Sequence, residues 1–497
     1  MPPSRAVLAL GLALVSRSLM AQASPFIPLD DPRLPLIEHL ITRGDLRDPS
    51  PMIRPFRRAD LLRAVQEANL PADSPAGRLA AALLGELAPD SGETSWRAEG
   101  RLGAQGFTSA RRDQLRPAGG EGVRGYGELL VEARAGSLVL TARGLAENRL
   151  KLDPDWPGDA SQRTSSVPTR FADAYLSAQW RFARLTFGQR ERNWGPVGLP
   201  GLGVSDAGYP RTDLQFDLVT RVLRFTALGA RLRPATGLSG ERVGRYFAAH
   251  RLALTPTPGL TLALWETAVI ADRFGTIDTD FFNPLTLLSF STRFGWGDDR
   301  NVLLGADASW RARPGLLLEA QAALDDYNPG GDNPYPNRWA LSLGASGGLG
   351  QSLAWRARYT TATSLAFRTL DPVENLLDAG VGLGRNFADN EEWHLRFTLP
   401  VRDRWLVAPE AVLVRQGEGD PRAPWPTPDQ AAQIPTRFIG DPSTTVRLGV
   451  GLSGEAGPLR LSGAGAWHRT SHAGLVTGRL EARLLATVGF STGGPLP

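Results

Sequence analysis

At 497 residues the chain is long enough for several soluble domains or one large sheet-built shell, and it contains no cysteine. Disulfides, thiolate metal sites and cysteine nucleophiles are therefore excluded. Its 55 basic residues, all arginine but Lys151, face 51 acidic ones for a net charge of +4; with no basic run, a nucleic-acid partner is not expected.

In chain order, Arg5 precedes the apolar run Ala6 to Val15, and Ala21-Gln22-Ala23 offers a small-x-small cleavage pattern. Residues 1–23 thus read as a cleavable export signal, with the mature chain starting near Ser24. The run is too short to span a bilayer, which takes about 20 apolar residues in a helix. Residues 24–92 read as a helical segment. Leu36, Ile37, Leu40 and Ile41 form one stripe closed by Gly44, Leu61, Leu62 and Val65 form a second, and Ser74-Pro75 opens a third with Leu79, Leu83, Leu84 and Leu87.

From Thr94 the apolar period changes to two. Leu304, Ala306, Ala308 and Trp310 share one face and Asp307, Ser309 and Arg311 the other; Leu316, Leu318, Ala320 and Ala322 stand against Glu319 and Gln321 in the same way. Strand-end aromatics such as Trp310, Trp339, Trp393 and Trp467 suit a lipid interface. The fold class expected over 93–497 is an all-β transmembrane barrel of about 18 antiparallel strands. Tight turns alternate with longer loops, 234–245 and 469–477 among the latter, and one strand is expected over 352–368; both barrel ends therefore face the periplasm, together with the helical segment. Segment 378–388 would break that alternation and is read as loop. Glu266, on the face of Leu262 and Leu264, and Pro409, inside a strand, fit poorly and suggest a bulge or a strand projecting above the membrane. The last strand, ending on Phe490, resembles the signal read by the barrel assembly machinery, which is expected as a partner beside outer-membrane lipid; a monomer is expected.

A more specific likeness lies in Arg190-Glu191-Arg192-Asn193-Trp194-Gly195-Pro196, Arg245-Tyr246-Phe247-Ala248-Ala249-His250-Arg251-Leu252, Leu264-Trp265-Glu266-Thr267, Asp280-Phe281-Phe282-Asn283-Pro284 and Leu324-Asp325-Asp326-Tyr327. With the helical N-terminus, the chain resembles the Wzi family of capsule-assembly outer-membrane proteins. The resemblance implies a barrel with a periplasmic helical bundle and a part in retaining surface polysaccharide. It transfers no binding residue.

The candidate site comes from the residues themselves. Mixed charges on inward positions, including Asp213, Arg221, Asp307, Glu319, Arg358 and Glu481, pair across a lumen or line a path for acidic sugars, whose carboxylates match the guanidinium fork. Aromatic loop residues Trp194, Tyr209, Trp296, Tyr327, Tyr335 and Trp425 suit sugar rings or simply pack the loops. The glycan-binding set drawn from both groups is Arg192, Trp194, Trp296, Asp325, Tyr327 and Arg338. No catalytic residue, metal ligand or cofactor is assigned: the five histidines lack metal-ligand spacing, and Gly201-Leu202-Gly203 does not follow a strand-to-helix layout. The apolar connection from Ala271 to Arg300, with Phe281, Phe282, Phe290 and Trp296, is expected to fold inward and narrow the lumen. The function expected is non-enzymatic binding and attachment of surface or capsular polysaccharide in the bacterial outer membrane. The alternatives are a diffusion porin and, less favoured, a membrane enzyme.

Overall fold

The computed structural model describes residues 23–87, 94–110, 119–273, 300–327, 334–402 and 404–495. The first strands are β1 Thr94–Phe107, β2 Gly122–Ala135, β3 Leu138–Glu147, β4 Thr169–Gln179, β5 Ala183–Gln189 and β6 Thr212–Val219. They continue with β7 Leu223–Thr236, β8 Arg242–Thr257, β9 Leu260–Asp272, β10 Arg300–Arg313, β11 Leu316–Asp326, β12 Arg338–Leu349 and β13 Leu353–Ala362. A two-rung hairpin, β14 Leu377–Asp378 and β15 Val381–Gly382, stands apart from the main sheet. The remaining strands are β16 Asn390–Arg402, β17 Trp405–Gln416, β18 Ser443–Ala456, β19 Leu459–His472 and β20 Leu475–Pro495. Each strand of the 18-stranded sheet pairs antiparallel with its sequence neighbour, and β20 returns to β1, so the sheet has no edge. Closure satisfies every ladder internally, the condition for a sheet to cross a bilayer.

The period of two decides which face meets lipid. On β9, Leu264 is 68% exposed and Ala263 only 4%, and Trp310, Trp393 and Trp467 also lie on the exposed outer face. Glu266 shares the outward side of Leu264 but is buried, 2.9 Å from Nδ1 of His250, its register partner on β8. Hydrogen bonding is what makes a carboxylate tolerable there. Pro409 leaves the β18 register intact, while the rungs to β16 lapse between Arg396↔Glu410 and Leu399↔Val407, since proline lacks the N–H to make them. The strand after Phe490 continues to Pro495, which pairs with Ser95.

Two details depart from the loop count. The β7–β8 and β19–β20 connections, expected among the longer loops, are short because the strands themselves run on, β19 meeting β20 up to His472↔Leu475. Arg221, expected inward, sits exposed in the turn between β6 and β7.

Three helices precede the barrel among the described residues: α1 Leu34–Arg43, α2 Arg58–Glu67 and α3 Pro75–Leu87. Gly44, at φ 89°, ends α1 with its N–H on the carbonyls of Leu40 and Ile41, a conformation costly for any residue with a Cβ. Ser74 Oγ accepts the N–H of Gly77 at 2.9 Å and so starts α3. The apolar stripes meet in one core of Ile37, Leu40, Ile41, Leu61, Leu79 and Leu83. This unit docks at the end of the barrel that carries the tight turns. Arg43 donates to the carbonyls of Gly350 and Leu353, Arg311 to that of Ile41, and Arg58 to Glu132 at 2.8 Å. Ala23 and Ser24 thread in beside the β2–β3 turn, where Gln179 brackets the Ser24 backbone with bonds of 3.0 and 2.9 Å.

Candidate functional site

Among the described residues, two inward excursions occupy the lumen. The first is 190–211, between β5 and β6. Its base is clamped by Arg192, which binds the Asp213 carboxylate through both terminal nitrogens and donates from Nε to Gln215 at 2.8 Å. Arg190 donates to the same Gln215 oxygen and lies 3.7 Å over the Phe26 ring. Farther along, Asn193 exchanges backbone bonds with Arg54 of the helical segment, 2.8 and 3.2 Å long. The excursion thus touches the unit that caps the other end.

The second excursion is 363–389. Sequence alternation carries the preceding strand to 368, but β13 ends at Ala362 and the chain turns into the barrel. Ser205 ties the two excursions together, donating from N to the Leu383 carbonyl at 2.8 Å and from Oγ to that of Gly384 at 2.5 Å. A Cβ on Gly384 would stand 1.9 Å from the Leu202 carbonyl, and one on Gly203 2.6 Å from the Trp265 ring. That close approach is the physical reason for glycine in Gly201-Leu202-Gly203. Around the crossing, Trp194, Leu202, Val204, Phe367, Leu376 and Leu383 pack with Ile53 and with inward residues of β7 to β13, among them Leu228, Phe247, Trp265 and Leu303.

The six candidate glycan residues therefore part company. Arg192 and Trp194 are buried parts of the plug, not surface groups: the excursion folds inward and takes them with it. Trp296 lies outside the described residues, as does most of the Ala271–Arg300 connection expected to fill the lumen. Asp325, Tyr327 and Arg338 come together at the long-loop rim. Asp325 is engaged in structure, its Oδ2 accepting the N–H of Phe367 at 2.8 Å. Tyr327 is 64% exposed. Arg338 pairs with Asp326 at 2.9 Å and bonds the Arg368 carbonyl.

Over Arg338 and Arg368 lies Trp425, its ring 5.2 Å from the Arg338 guanidinium and 5.9 Å from that of Arg368, with the Tyr335 ring tilted against it, centroids 5.0 Å apart. The half-exposed Trp425 and Tyr335 were candidates by residue type alone; their meeting spans distant loops. Asp389, which local sequence does not flag, is fully buried and accepts the N–H groups of Gly419 and Ile439 at 2.9 Å, tying the plug to the loop after β17.

A closed 18-stranded antiparallel barrel with an apolar exterior and charged interior is a transmembrane β-barrel of the outer-membrane class. Its likeness to a solved structure runs almost end to end. Wzi of Escherichia coli, described as an outer-membrane protein involved in group 1 capsule assembly and a carbohydrate-binding β-barrel, superposes with a TM-score of 0.63 at 14% identity, over 95% of this chain and 100% of that one. At that identity the likeness establishes the fold. Looser matches include OccAB4 of Acinetobacter baumannii (TM-score 0.46, 10% identity, 82% of this chain and 99% of that one) and OprD of Pseudomonas aeruginosa (0.45, 12%, 81% and 97%). Neither overlaps closely enough to bear on function. No protein-family model matches the chain, and no curated protein is significantly similar to it.

Proposed function

We propose that this protein holds surface or capsular polysaccharide at the outer membrane by non-enzymatic binding and does not serve as a diffusion channel. The observation that carries the reading is the plug: excursions 190–211 and 363–389 bond to each other and, through Asn193 and Arg54, to the helical segment at the opposite end. A diffusion pore keeps its axis wet, whereas here apolar side chains pack across it. The carbohydrate-binding character described for Wzi supports the same direction. In this reading the helical segment is periplasmic, and the rim cluster of Tyr327, Tyr335, Arg338 and Trp425 presents aromatic faces and a guanidinium to sugar. The test pairs two measurements on refolded protein: conductance in planar bilayers and binding on an array of capsular polysaccharides. Closed bilayers with polysaccharide bound, and binding weakened by Trp425→Ala, are expected. A large steady current without glycan binding would sink the proposal and favour the porin.

A further inference from the structure

Beside the plug, the lumen keeps a cavity of about 300 Å³ against the inner wall of β1 to β4 and β19 to β20. Asp30 of the helical segment lines it; its side chain is 47% exposed while Oδ1 accepts from Arg143 at 2.6 Å. Glu147 lies on the wall, holding Arg149 and Arg170 at 3.2 Å each, with Gln105 at 3.4 Å. Arg483 enters from β20, and Phe107 and Tyr126 add aromatic surface. Nη1 of Arg170 is buried without a hydrogen bond among the described residues, with a Glu191 carboxylate oxygen 4.0 Å away.

The cavity opens to solvent, as the exposed Asp30 side chain on its wall shows, so a soluble ligand can enter it. The space would take about ten waters and sits at the lower bound of ligand pockets, about 300 Å³. Its walls mix carboxylate and amide acceptors with guanidinium donors and two rings, the complement of a pyranose with hydroxyls at its rim and C–H faces above and below. Among the described residues, the lining carries two carboxylates, Asp30 and Glu147, and three guanidiniums, Arg149, Arg170 and Arg483. The excess cation favours a sugar bearing one carboxylate, which a guanidinium binds through paired N–H groups.

We propose that this chamber binds a single hexuronate unit, a site separate from the rim cluster. The proposal rests on the glycan reading above and gives it a sugar class. The probes are D-glucuronate and D-glucose, their binding measured by saturation-transfer NMR on refolded protein. Ala464 lines the void, so Ala464→Trp fills it without deleting a polar group, and Arg483→Gln removes one cation. Fold is checked by faster migration of the unboiled protein on a gel. The parent is expected to bind glucuronate better than glucose. Ala464→Trp should weaken glucuronate at least tenfold while the polysaccharide-array signal persists at the rim, and Arg483→Gln should remove the preference over glucose. Glucuronate binding unchanged in folded Ala464→Trp, or absent from the parent, overturns the chamber. If the array stays positive in that case, the polysaccharide reading survives. Glucuronate bound in the chamber with no polymer bound anywhere leaves the chamber standing and removes the polymer reading.

Discussion

The plug can be loosened without touching the barrel wall by breaking the clamp at its base. Arg192 and Asp213 are both buried, their side chains 6% and 4% exposed. Asp213→Ala leaves the Arg192 guanidinium with only Gln215 and a 3.4 Å contact to the Arg190 carbonyl. Arg190, sharing that same Gln215 oxygen, has no ion-pair partner within 4.0 Å among the described residues, so two buried cations would face one neutral acceptor. Removing one partner from a buried pair costs about 3–5 kcal/mol. Because Arg192 belongs to the excursion, the loss falls on its docked state. At 1.4 kcal/mol per decade, the population of the undocked excursion should rise by about two to three and a half orders of magnitude. Single-channel recording should then show brief openings in Asp213→Ala that the parent lacks, with faster amide exchange over residues 193–205. Replacing both partners, Arg192→Met with Asp213→Leu, removes the stranded charge and should restore most of the closed time. An Asp213→Ala protein as closed and as protected as the parent would refute the clamp. Loss of its folded gel band would place the pair in barrel closure instead and refute the reasoning equally.

Other outcomes follow from the same geometry. Leu318→Arg puts a charge on the lipid face level with the interfacial Trp310, its register partner, and should cost about 1 kcal/mol or less, against about 2–4 kcal/mol at the bilayer midplane; urea titration in detergent-free vesicles measures it. The neighbouring Glu319→Arg, which a solvent-filled lumen would tolerate, should also lower stability, because Glu319 is buried 2.6 Å from Arg358. His39, buried on α1 with Nδ1 2.7 Å from Thr398 Oγ1, is pushed down from 6.5 to about 4 by burial, then by Arg43 and Arg356. The folded state therefore disfavours its protonation: docking of α1 is fully supported above pH 6.5 and weakens as pH falls toward 4, by at most about 3 kcal/mol. Amide exchange of α1 against pH should show this, and His39→Gln should flatten the curve; a curve of the same slope in the variant would discard it. Sidedness can be read with single cysteines, since the chain has none: an impermeant maleimide on whole cells should label Ala473→Cys in the β19–β20 hairpin and spare Ala72→Cys near α3. The reverse pattern would invert the barrel.

What local pattern can express was legible, and what depends on distant loops was not. Each strand carries its own evidence, because Leu318 beside Glu319 or Leu264 beside Ala263 need reference to nothing farther than the next rung. Helix stops and starts are equally local: Gly44 and Ser74 act on carbonyls and amides within four residues. The plug is different. Ser205 meets Leu383 and Gly384 across more than a third of the chain, and Asp389 finds Gly419 and Ile439 from two separate turns of loop.

A signal was nevertheless present. A solvent-facing loop has no use for Val197, Leu199, Leu202 and Val204 in succession, nor for Leu376, Val381 and Leu383. The same argument, applied to the apolar stretch between Ala271 and Arg300, would have predicted inward folding of 190–211 and 363–389. Two considerations hid it. Trp194 was weighed as an isolated ring, when its apolar neighbours mark it as core, and the alternation of β13 runs past Ala362 without a break in period. Composition says that a segment must be buried; only the partner's geometry says where. For a barrel that choice lies between lipid and lumen. The polar backbone of an irregular loop decides it, because unpaired N–H and C=O groups are untenable against hydrocarbon but can be satisfied inside by segments such as 190–211 and 363–389 bonding to each other.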